Sequence, residues 1–192
     1  MTARSLMVLF DSVYLGAMSA WVGSILFFTF GVAPIVFKVL GTETGDKFVR
    51  VLFPRYFLWG AIAGAVALPS VVAVPLCYPE LRGPWVGVQA LFIIAATLIM
   101  LYAGNSLTPA INAARDAGPA GQARFDQLHR RSVWLNGLVL AIGLGLLVAF
   151  AARPFPRSSG IIELSPAQRA EAEAAAFQKR QVTPARPAYP GR

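Results

Sequence analysis

Four long stretches of this chain carry no charged residue, and that pattern leaves few folds open. They run from Ser12 to Phe37, from Tyr56 to Pro79, from Gly83 to Ala114 and from Ser132 to Ala152. Each reaches the ~20 residues a helix needs to cross about 30 Å of hydrocarbon. Soluble core helices seldom stay apolar on every face for so long. A membrane barrel would show alternating segments of ~10 residues instead. The expected fold is all-α: an integral membrane up-down four-helix bundle over residues 1–152, with spans at about 8–37, 56–77, 85–109 and 132–152. A mostly disordered Pro/Ala/Arg-rich tail, residues 153–192, follows.

Composition narrows the function classes. Only 14% of residues are charged, against roughly a quarter in ordinary soluble domains. The mean hydropathy is +0.59, and together these exclude an ordinary water-soluble enzyme. A single cysteine, Cys77, excludes an internal disulfide framework and a multi-cysteine zinc site. The net charge of +8 reads as span flanks plus tail, since no nucleic-acid module is visible. Arg4 and the Ala17-Met18-Ser19 segment loosely imitate a signal peptide. Asp11 interrupts that apolar region, however, and the run continues far beyond the supposed cut, so a retained helix is expected.

Punctuation sets the boundaries. Helix 1 should run from about Ser5 to Leu40 and end at Gly41. A short amphipathic piece with Phe48, Val51 and Leu52 should then stop at Pro54, and helix 2 should begin at Arg55. Pro69, Pro75 and Pro109 mark kinks. Tyr78 to Pro84 and Gly118-Pro119 mark turns, and helix 4 should start near Ala120, outside the membrane. Ser165-Pro-Ala-Gln168 is a capping pattern that could open a short helix over 166–180. Helix contacts in lipid favour small residues. The candidates are Gly16, Ala20 and Gly23 on helix 1, Gly60-x-x-x-Gly64 on helix 2, and Gly137, Ala141 and Gly145 on helix 4. Packing within the bundle is preferred over a homo-oligomer seam. Gly137 is thereby expected to be a close-contact position.

Orientation follows from basic residues near span ends. Loops 38–55 and 115–131 carry eight (Lys38, Lys47, Arg50, Arg55, Arg115, Arg124, Arg130, Arg131), whereas the terminal side has Arg4, Arg82, Arg153 and Arg157. The positive-inside rule then puts the loops in the cytoplasm and both termini outside. Arginine outnumbers lysine 14 to 3 and alanine is abundant, which fits a bacterial cytoplasmic (inner) membrane.

Polar residues gather at the loop end. Arg55 on helix 2, Asn105 on helix 3, and His129, Arg130, Arg131 and Asn136 on helix 4 form a cationic, amide-rich cluster. It could receive an anionic lipid headgroup, an anionic solute or a partner's acidic segment. The competing reading has the cations snorkelling to the interface while amides and His129 tie helices together. Asp11 is the acid inside a span, near the terminal end. Pairing with Arg82 or Arg153 is expected there, ahead of a proton or cation relay. His129 is the sole histidine, and Met7, Met18 and Met100 are scattered, so no metal or other cofactor is expected. Neither a catalytic set nor a nucleotide fingerprint is present.

Two segments carry a family likeness. The first is Trp21-Val-Gly-Ser, then Phe27-Phe-Thr-Phe-Gly-Val-Ala-Pro34-Ile-Val-Phe37 and Leu52-Phe-Pro-Arg-Tyr56. The second is Phe125-x-x-Leu-His129-Arg-Arg-Ser132, then Leu135-Asn136. Over residues 8–152 the chain resembles the transmembrane protein 205-like family of small four-helix membrane proteins. That resemblance implies the same fold and no established chemistry. The expected function is a non-catalytic accessory or interaction protein with the lipid bilayer, anionic lipids, a membrane-protein partner or a second copy as its contacts. The alternative is a small oligomeric transporter or channel.

Overall fold

Helix is the only regular structure among the described residues, 3–153 together with Glu171 and Ala174 in this computed structural model. Met1–Pro154 is one compact unit and Phe155–Arg192 a second. In the second, Glu171 and Ala174 are helical. The rest of the expected 166–180 helix and of the expected disordered tail lies outside the described residues.

The first unit contains three stretches long and apolar enough to cross a membrane: Ser5–Cys77, Pro84–Asp116 and Gly118–Ala151. They comprise α1 (Ala3–Leu26), α2 (Ala33–Cys77), α3 (Pro84–Tyr102), α4 (Thr108–Asp116) and α5 (Gln122–Ala151). Their surfaces are apolar outward as well as inward. Phe27, Phe30, Val39, Leu58, Leu91, Leu98, Trp134 and Val148 are all exposed, a surface suited to lipid rather than water.

The 73-residue first stretch would span about 110 Å if straight. It folds back at Gly41 instead, whose φ of 69° and ψ of 175° lie where only glycine is at ease. Antiparallel contacts then run the length of the two arms. Phe28 stacks edge-on against Phe53 at 5.3 Å, and Trp21 faces Gly60 and Gly64. The expected stop at Pro54 does not occur: α2 continues unbroken from Thr42 to Cys77, with Pro54, Pro69 and Pro75 inside it. A proline removes one hydrogen bond and strains a turn, at ~3 kcal/mol. Here Phe53, Tyr56 and Phe57 pack on one another, and Phe53 and Tyr56 also on Phe28, with ring centroids 5.1–6.3 Å apart, which holds the helix through the defect. Two π-helical turns, Phe27–Val32 and Ala103–Leu107, each precede a proline in the next helix's first turn, Pro34 and Pro109. At the second, Thr108 Oγ1 donates to the Ala103 carbonyl at 2.8 Å, alongside the Thr108 backbone N–H that the same carbonyl accepts.

Large side chains interlock with small ones in the core. Met18, Trp21, Ile25, Ile93, Met100 and Val139 are essentially fully buried. A Cβ added at Gly60 would lie 2.2 Å from Met100, and at Gly64 2.1 Å from Thr97 Oγ1. The Gly60-x-x-x-Gly64 seam is therefore real. The helix 4 stripe is not: Gly137 and Gly145 meet nothing within 4 Å, and Ala141 is exposed. Gly16 and Gly23 are likewise open. On α5 the close approach falls at Gly143, where a Cβ would sit 2.7 Å from Val22. The helix rotates so that Val139, Gly143 and Leu146, rather than Gly137, Ala141 and Gly145, face inward.

Candidate functional site

The loop end is built from the start of the return arm of α2, the end of α4 and the start of α5. Arg50 donates to Asp116 through both Nη atoms, at 3.1 and 2.5 Å. Arg115 pairs with Asp46 at 3.0 Å and lies 4.6 Å over the Phe125 ring, binding three helices together. Lys47 pairs with Glu43 at 2.8 Å within one helix, and Gln122 donates to Asp126 at 3.0 Å. The Asp116 carboxyl is held below the ordinary carboxylate range, chiefly by the hydrogen bond from Arg50, which outweighs the opposing effect of desolvation; the charges of Arg50 and Arg115 add to the lowering.

All four acids near this end are thus engaged. Among the expected cluster residues, Arg55 is exposed and spends one guanidinium N–H on the Val51 carbonyl of its own helix, at 3.2 Å. Arg130 is exposed and makes no polar contact among the described residues. Arg131 lies over the Tyr102 ring at 5.3 Å. Asn136 is half-buried, and its Oδ1 accepts from Tyr56 at 2.7 Å, tying α5 to α2. His129 does not tie helices. It is exposed and stacks on Phe125 of its own helix, at 5.6 Å and 8°. Asn105 sits exposed in the π turn. The six residues therefore ring one end of the bundle rather than converge on a pocket.

Depth follows from helix rise. Arg55 lies 22 residues from Cys77, and Arg131 22 residues from Arg153, or about 33 Å along the axis in each case. That matches the hydrocarbon thickness. Arg55, Arg130 and Arg131 consequently form a girdle about that distance from the terminal end, and the Arg50–Asp116 and Arg115–Asp46 pairs stand beyond it.

Concavity is found at the terminal end, which the sequence does not reveal. A cavity of about 260 Å³ is floored by Tyr14, Ser70 and Val74 and rimmed by Asp11, Arg82, Trp85, Gln89 and Arg153. Asp11 and Arg153 make a two-fold bridge, with one bond at 2.7 Å and a second between Nη2 and Oδ2. Arg153 also stacks on Phe150 at 4.0 Å. Arg82 Nε donates to the Pro75 carbonyl at 2.9 Å. The expected pairing of Asp11 falls to Arg153, and Arg82 lines the same cavity. The legible signal was the charge on both sides of that end. The hollow between them depends on helix splay, which no spacing encodes. Among the described residues, no three His, Cys, Asp or Glu side chains are grouped as metal ligands.

Helical across its described residues, with three stretches long and apolar enough to cross a bilayer and an apolar outer surface, this is an integral membrane protein. Residues 16–120 match the family described as Domain of unknown function (DUF4149). The chain belongs to that family. No curated protein and no solved structure compared with it gives a significant match.

Proposed function

We propose that the chain crosses the bilayer four times and acts, without catalysis, as an accessory protein of a bacterial cytoplasmic membrane. In this reading its cytoplasmic loop-end girdle engages anionic lipid phosphates. The observation that carries it is the sorting of charge: acids are paired in the water-exposed network, while Arg55, Arg124 and Arg130 meet no carboxylate among the described residues. Both arms of the first stretch exceed the bilayer thickness, which supports counting them as two spans. Kinship with the transmembrane protein 205-like family belongs to the same proposal, carried by the Trp21–Phe37 and Leu52–Tyr56 segments inside the matched region. The transporter reading is less favoured, because the middle of the bundle is filled by Met18, Trp21, Ile93, Met100 and Val139.

The test is retention of phosphatidylglycerol by the full chain in neutral nanodiscs. Arg55→Gln with Arg130→Gln should weaken it roughly 30-fold, since each cation near an anionic surface is worth about 1 kcal/mol. The loss should shrink in high salt. Unchanged retention at low salt would leave these arginines as interfacial anchors only.

A further inference from the structure

The cavity at the terminal end adjoins a second hollow. Trp85, Gln89 and Ala149 line both, and the second, of about 320 Å³, lies between α3 and α5. That second hollow is almost wholly apolar, with Phe92, Ile142 and Gly145 among its walls. The two share one boundary but differ in chemistry. The first holds two arginines against one aspartate. Arg153 is committed to Asp11, so among the described residues lining the cavity Arg82 is the cation that meets no carboxylate. Its Nε serves the Pro75 carbonyl and its Nη2 makes a long contact of 3.5 Å with the Leu76 carbonyl. Nη1 has no partner among the described residues. A charge-assisted donor on the rim of a mainly apolar hollow, beside Gln89, Asp11 and Arg153, is suited to the phosphate of an amphiphile. The adjoining groove faces the side on which the bundle is apolar, so it is suited to an alkyl chain.

We propose that this compound hollow binds a glycerophosphate amphiphile, with its phosphate on Arg82 and one acyl chain along the α3–α5 groove. Gln89 and Trp85 sit at the junction, where the ester region would lie. The ligand is either a single-chain lysophospholipid or a bilayer phospholipid that inserts one of its chains. This site is at the opposite end from the loop-end girdle and stands independently of it.

The experiment uses the purified full chain in an uncharged detergent and lysophosphatidylglycerol with a brominated acyl chain, which quenches nearby tryptophan. Saturable quenching is expected, and it should be lost in Trp85→Phe. Arg82→Gln should weaken binding at least about ten-fold, the size of a lost hydrogen bond to a charged group. Gly145→Phe should do the same by filling the groove. Gly145 meets nothing within 4 Å, so this variant should keep the wild-type melting temperature and elution volume. A neutral brominated monoacylglycerol should bind at least ten-fold more weakly, and glycerol 3-phosphate should not compete at equal concentration. Brominated phosphatidylglycerol run in parallel separates the two sources: tighter binding of the two-chain lipid identifies a bilayer lipid, and tighter binding of the one-chain lipid identifies a lysolipid. Equal binding of the neutral amphiphile, equal competition by glycerol 3-phosphate, or full binding by Gly145→Phe would each overturn the proposal. Arg55→Gln with Arg130→Gln should leave this titration unchanged, so failure here is separable from failure of the girdle reading.

Discussion

Gly143 and Gly137 differ by six residues and by everything that matters for packing. A side chain at Gly143 would drive into Val22, whereas one at Gly137 would enter open space. Gly143→Leu should therefore destabilise the bundle by about 1–3 kcal/mol, as overpacked cores do, while Gly137→Leu should melt like wild type. Thermal unfolding in detergent, followed by size exclusion, checks both. The sequence offered a tidy small-residue stripe at Gly137, Ala141 and Gly145, and that stripe faces outward. In lipid a small residue signals a contact but not which face makes it, because the outward face is equally apolar and gives no contrast. Gly60 and Gly64 were read by the same spacing rule, and theirs is the stripe that falls on the buried face, against Trp21 and Met100.

At the scale of elements, the loop end is held by charge across helices. The Arg50–Asp116 bridge joins the return arm of α2 to the end of α4. Because Asp116 titrates lower when folded than the ~3.9 of a free aspartate, its contribution is present above that unfolded value. It is lost as pH falls through the lower folded one. The small, salt-sensitive stability difference between wild type and Asp116→Asn should accordingly be constant from pH 7 to about 5 and vanish on further acidification. Melting curves across pH test this. Element ends were readable wherever glycine needed a left-handed backbone, at Gly41 and Gly118. They were misread at Pro54, where stacking of Phe28, Phe53 and Tyr56 outweighs the missing hydrogen bond. The candidate site was readable as chemistry, in Asp11 and the arginines, but not as shape, since helix splay at the terminal end leaves no mark on local spacing.

For the whole molecule, the proposed orientation puts the 115–131 loop in the cytoplasm. Gln127→Cys in a Cys77→Ser background should resist a membrane-impermeant thiol reagent in intact cells and react once the membrane is permeabilised; Gln127 is exposed. Labelling in intact cells would invert the topology. The choice of thiol chemistry matters because of Gly41. One residue reverses the chain there, and helix continues on both sides with no intervening loop. Proteases need an extended segment of about the kind that loop tips supply, and this tip supplies none. Trypsin added to either face of a sealed vesicle should leave the two arms covalently joined at Gly41, so an intact fragment on a gel carries no news of which side of the membrane that tip inhabits.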